Sequence, residues 1–276
     1  MIRLLQIELI KLWYSKSSRI LIIAYFILLT LLSLIAAIKI NFGSFELHLA
    51  EQGIFDFPYI WHFNTYIAAY FKLFLAIIIV SMMANEYSNK TLKQNLIDGL
   101  GKWEFVLSKF ITILLFSAVS TFVVFVISFI LGRIYSVYDE WAIVFSELYY
   151  LGAYFIKLVG FFSMCLFFGV LTRKSAFALG FLILWNIAES IISAIVFFSG
   201  ATFGELIVRF LPLNAMSNLI KEPFTRLSAI NEAANQIGGE LFVKDYSVQW
   251  LDVLIVLGWT AVFVYGSYFI IKRRDL

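Results

Sequence analysis

Three ionisable side chains, Lys72, Lys157 and Glu189, stand inside otherwise apolar runs of this 276-residue chain. A charge near the centre of a bilayer costs about 2.5 to 3.5 kcal/mol on insertion scales, so residues of this kind are expected to find partners or to line a polar path. Counted from the outer end of its run, each lies roughly nine to ten residues in, which at 1.5 Å per residue is about 14 Å deep. Asn186 lies one turn before Glu189. Two arrangements fit. Glu189 with Asn186 pairs with a lysine across a helix interface or lines a polar path, or the lysines snorkel toward the headgroups while Glu189 stays neutral and hydrogen-bonded.

Other reactive groups are few. His48 and His62 fall near the outer surface without a His-Glu-x-x-His spacing and read as solvated loop histidines, so no metal site is expected. The single cysteine, Cys165, lies in an apolar run and supports neither a disulfide framework nor a Cys/His cluster. Gly101-Lys102 is no phosphate-binding loop, because Leu96 stands where the first glycine belongs and Trp103 where the hydroxyl belongs. No catalytic residue and no cofactor is expected within this chain.

The elements that position these residues follow from composition. The chain is 62% hydrophobic and 14% charged, against roughly 25% charged in an ordinary soluble domain, and its mean hydropathy is +0.91. These values predict an integral membrane protein, as a single all-α domain over 1–276. Residues 1–19 form an amphipathic helix in the interface, with Ile2, Leu5, Leu9, Leu12 and Trp13 on its apolar stripe and Glu8 and Lys11 elsewhere. Six spans follow, over about 20–38, 63–84, 105–132, 148–171, 176–198 and 248–271. The interval 199–247 is too short in its apolar parts, and too broken by Pro212, to cross, and is expected at the outer interface. Thirteen Lys and Arg fall on the side of Arg3, Lys109 and Arg274, six fall on the other and two lie within spans. The positive-inside rule therefore puts both termini in the cytoplasm. The +3 net charge reflects this topology, with no basic surface for nucleic acid.

The cytoplasmic interval 85–109 combines a cap at Ser88 or Asn89, leucines at 92, 96 and 100 on one face, and glycines at 99 and 101 as a stop. Such a helix is too short to be stable alone. It is held either against a partner below the membrane or with its leucines in lipid.

Glu86, the run Asn89-Lys90-Thr91-Leu92-Lys93-Gln94-Asn95-Leu96-Ile97, the Gly99-Leu100-Gly101 turn and Trp103 to Lys109 resemble the inner loop of permease subunits of type-2 ATP-binding-cassette (ABC) exporters. The resemblance extends in outline over the whole chain, as an N-terminal elbow helix, six spans, both termini inside and short outer re-entrant helices around a proline, here Pro212. One departure is Lys102-Trp103, where many members have Ser-Arg. The resemblance implies that 85–109 carries a cytoplasmic coupling helix in which Glu86, Thr91, Gln94, Asp98 and Lys102 contact a separate ATPase subunit, present in two copies. It implies a second permease subunit, identical or related, alternating access at the interface between the two, and ATP with Mg in the ATPase subunit rather than in this chain. The expected setting is a multi-pass protein of the bacterial inner membrane, surrounded by lipid, exporting a hydrophobic or amphipathic substrate. An ATP-independent channel, a membrane scaffold and an intramembrane enzyme are the competing readings. The thin set of convergent polar groups weighs against the enzyme.

Overall fold

The computed structural model describes residues 2–35, 40–42, 45–47, 53–199, 202–226 and 245–274. Helix α1 (Ile2–Tyr14) turns through 89° into α2 (Lys16–Ile35). A two-stranded antiparallel hairpin, β1 (Ile40–Phe42) and β2 (Phe45–Leu47), is the one departure from the expected all-α fold among the described residues. Then come α3 (Tyr59–Ala68), a 3₁₀ turn (Ala69–Phe71) and α4 (Lys72–Ser88), which together form one long span. The short α5 (Thr91–Ile97) leads to α6 (Lys102–Tyr135). After α7 (Trp141–Val144) follow α8 (Tyr149–Thr172) and α9 (Ser175–Ser199). The short pair α10 (Thr202–Phe210) and α11 (Pro212–Asn218) precedes the last helix, α12 (Trp250–Arg273).

Five of these segments are long and apolar enough to cross a bilayer, and a sixth is obtained if the bent α1–α2 pair counts as one span. They match the expected spans to within a few residues. The interfacial helix ends at Tyr14 rather than near residue 19, because the chain bends at Ser15. Ile7, Ile10, Trp13 and Tyr14 are exposed, whereas Glu8 and Leu12 are buried. The polar residue expected on the solvated face therefore points into the protein.

Helix α8 is the axis of the bundle, with Tyr154, Leu158, Phe162, Met164 and Cys165 all buried. Gly160 lets α12 close in on it. A Cβ there would lie 2.8 Å from Val256 Cγ1 and 3.1 Å from Met216 Cε, closer than packed atoms tolerate. Helix α9 is different, since only Ala178, Leu182 and Glu189 are buried along its 25 residues. Its remaining apolar surface faces outward.

Helices α10 and α11 are about 14 and 10 Å long, too short for a bilayer core of about 30 Å. Pro212 stands in the first turn of α11, where its missing N–H costs nothing. Arg209 fixes the pair to α12 by donating from Nε to Asp252 Oδ1 at 2.7 Å and from Nη2 to Gln249 at 2.5 Å, and Trp259 Nε1 donates to the Phe210 carbonyl at 2.8 Å.

Candidate functional site

At the end of the bundle that carries α5, four charged side chains from three separate helices meet. Lys109, fully buried on α6, donates to Glu8 Oε2 of α1 at 2.5 Å and to Glu86 Oε1 of α4 at 2.6 Å. Lys11 adds contacts to Glu86 at 2.9 Å and to Glu8 at 3.4 Å. Two carboxylates and two ammonium groups leave the set neutral, the condition under which buried charge is tolerated. Burial lowers the affinity of Lys11 for its proton, but Glu8 and Glu86 outweigh that and hold its pKa above the ordinary lysine value. The other Glu86 oxygen, Oε2, accepts from Thr91 Oγ1 at 2.5 Å. One carboxylate thus joins α1, α4, α6 and the first residue of α5.

Helix α5 starts after Lys90, whose φ of 56° is left-handed, and no side chain caps it, contrary to the expected Ser88 or Asn89 cap. Gly99, at φ 95°, supplies the expected stop, a conformation that strains any residue with a Cβ. Leu92 is buried, and Leu96 and Leu100 pack against the core, so this leucine face is on protein rather than lipid. Lys93, Gln94, Ile97 and Asp98 remain exposed, Ile97 to 75%.

Of the residues expected to touch a partner, Gln94 and Asp98 therefore lie on an open face and Thr91 is half-buried. Glu86 is only 3% exposed and turned inward, so it is an internal strut in this conformation rather than a contact residue. Lys102 is also engaged, donating to the carbonyls of Lys272 at 3.2 Å and Arg274 at 3.3 Å, where a cation suits the C-terminal end of α12. Glu8 and Lys11 escaped the sequence reading. The only signal for them was that Glu8 and Lys109 are charges flanking apolar runs, and nothing in the spacing joins residues 101 positions apart.

The intramembrane residues form a second site. Lys72, Lys157 and Asn186 line one cleft of about 410 Å³ between α4, α8, α9 and α11, together with Tyr66, Tyr70, Phe161 and Ser217. Lys72, the first residue of α4, falls near the middle of the long span 59–88, and Asn186 falls near the middle of α9. Lys72 Nζ sits 4.5 Å from the centre of the Phe161 ring, a cation–π contact. Of the two arrangements open for Glu189, the ion pair with a lysine is not the one found among the described residues. Glu189 Oε1 accepts from Trp185 Nε1 at 2.6 Å and from the Leu213 N–H at 3.1 Å, while Oε2 accepts from the backbone and side-chain nitrogens of Asn214 at 3.0 and 3.1 Å. The carboxylate is committed to the first turn of α11, where backbone N–H groups lack helical partners. Proximity in the sequence to Asn186 did not reveal this, because the partners on α11 are more than twenty residues onward.

His62 corrects a further expectation. It is fully buried, stacks on Tyr150 with ring centres 4.2 Å apart, contacts the Lys221 carbonyl through Nε2 at 2.9 Å and takes a bond from Arg226 Nη1 at 3.2 Å. Arg226 in turn forms a two-pronged pair with Glu147, 3.1 Å on each prong, tying the segment before the last helix to the turn that leads into α8. His48 lies outside the described residues, as do 227–244 of the expected outer segment. No cluster that could hold a metal occurs among the described residues.

A model of the ABC-2 family transporter proteins matches residues 16–276. A search of curated proteins finds no match. The match covers every span from α2 to α12 and both polar sites except the two residues contributed by α1, and the helices are those of a multi-pass membrane protein. The chain therefore belongs to the ABC-2 transporter family, as a membrane-embedded transport permease.

Proposed function

We propose that the chain is the membrane subunit of an ATP-driven exporter that acts as a dimer and receives its driving motion from a separate ABC ATPase through the 85–109 loop. The observation that carries this reading is the Glu8–Lys11–Glu86–Lys109 set. It ties the helix beneath the membrane, α1, and the loop helix α5 to the spans α4 and α6, so a displacement of α5 is passed to three other helices rather than absorbed in a loose connection. The exposed face of Lys93, Gln94, Ile97 and Asp98 is the docking surface, in which α5 is the coupling helix and α1 the elbow. ATP and Mg belong to the partner, two copies of which face two permease subunits, identical or related. Both termini and α5 are cytoplasmic by the distribution of Lys and Arg, in a bacterial inner membrane. The exported substrate is hydrophobic or amphipathic.

The test is co-expression with a cognate ABC ATPase and affinity capture on the permease. The ATPase is expected to co-purify with the wild-type chain and to be lost when Lys93→Glu, Ile97→Glu and Asp98→Lys are combined. Equal capture by that variant would show that the docking face lies elsewhere.

A further inference from the structure

The cleft at the middle of the membrane holds two lysines and no acid. Its lining residues include Lys72 and Lys157 but neither Asp nor Glu, and the carboxylate of Glu189 is engaged by four hydrogen bonds to other groups. Lys157 is 5% exposed and has no hydrogen-bond or ion-pair partner among the described residues. An ammonium group in such surroundings is costly unless a counter-charge is supplied. Lys72 compensates only through the face of Phe161. The remaining polar groups of the cleft include the Asn186 amide and the Ser217 hydroxyl, both able to donate, and the Tyr66–Tyr70 pair, whose hydroxyls bond each other at 2.8 Å and leave one O–H proton over. Two lysines with donors on the same lining describe a site for an anion.

The rim shows what kind of anion. Leu73 and Ile183, both on the lining, are 57% and 62% exposed and face outward beside the cleft. A hydrocarbon chain leaving the cleft therefore meets apolar surface and then the lipid. The volume of about 410 Å³ suits a compact headgroup, and small-ligand pockets begin at about 300 Å³.

We propose that this cleft binds the anionic headgroup, phosphate or carboxylate, of a single-headed membrane amphiphile, with Lys157 and Lys72 as its counter-charges and the tail running out past Leu73 and Ile183. This deepens the transport reading and rests on it only in making the amphiphile the cargo. Binding itself belongs to the isolated chain.

The test uses the full chain purified in dodecyl maltoside and titrated with phosphatidylglycerol, with phosphatidylcholine of the same acyl chains, and with inorganic phosphate, bound species being counted by native mass spectrometry. Phosphatidylglycerol is expected to bind at least about tenfold more tightly than phosphatidylcholine, which corresponds to about 1.4 kcal/mol. Lys157→Gln and Lys72→Gln are each expected to erase most of that preference. Lys157→Arg keeps the charge and retains it, and Lys174→Gln, on the exposed turn after α8, leaves it unchanged. Equal binding of the two lipids, or an undiminished preference in a Lys157→Gln variant that melts at or above the wild-type temperature, overturns the site. Inorganic phosphate that competes as strongly as phosphatidylglycerol also overturns the proposal, because the tail would then contribute nothing. Since no ATPase is present, these outcomes are independent of the capture experiment, in which a wild-type chain that brings down no ATPase would overturn the ATP-driven reading and leave the lipid preference intact.

Discussion

The two lysine sites of this permease use the same residue type under opposite rules. Lys109 is fully buried and meets two carboxylates within 2.6 Å, so its charge is balanced inside the chain. Lys157 is nearly as buried and meets none among the described residues. The first arrangement fixes helices to one another. The second leaves an electrostatic demand that no described side chain meets, which is the difference between a strut and the proposed binding site.

Removing each lysine should therefore move stability in opposite directions. Lys109→Met leaves Glu8 and Glu86 with only the partly exposed Lys11 between them, and breaking a buried pair of this kind costs about 3 to 5 kcal/mol. The thermal unfolding midpoint in neutral detergent is expected to fall steeply. Adding Glu86→Gln to Lys109→Met should recover part of the loss, since Glu8 and Lys11 can still pair. Lys157→Met in the same detergent should raise the midpoint, because an uncompensated intramembrane lysine costs about 2.5 to 3.5 kcal/mol. A fall in the midpoint for Lys157→Met would dissolve the contrast between the two sites.

Glu189 sharpens the comparison, because it is the acid that could have neutralised the cleft and does not. Glu189→Gln replaces a two-oxygen acceptor with one oxygen and one donor opposite backbone N–H groups, and should cost about 1 to 3 kcal/mol in the same melting assay. The lipid preference should survive it. Smallest is Lys102→Ala, which removes only the cation at the end of α12 and should cost about 0.3 to 1 kcal/mol. A larger effect would mean that Lys102 also carries load on the loop.

The spans were legible because each is a long apolar run, and the depth of Lys72 and Lys157 followed from counting along those runs. Pairing was not. Glu8 reads as one polar residue on an amphipathic helix, and only the 89° bend after α1 carries it to Lys109. The same limit applies to Glu189, whose partners other than Trp185 wait on a helix that begins at Pro212, and to His62, which looks solvated until Tyr150 stacks on it. Periodicity reports which face of an element is apolar, whereas a charge's partner depends on how elements cross. Leu92 lay on the legible side of that line. Its four-residue spacing with Leu96 and Leu100 marked one face of α5, and that face is the one packed on the protein.

Helix α4 carries Lys72 as its first residue and Glu86 near its last turn. The fourteen steps between them span about 21 Å and leave the two side chains about 40° apart around the axis. In the coupling proposed above, a rotation of this regular helix as one body would carry Lys72 round with Glu86. The 3₁₀ turn at Ala69–Phe71, immediately before Lys72, interrupts the regular hydrogen-bond ladder at the other end. Such a rotation would be taken up at that joint, beside the cleft, rather than passed on to α3.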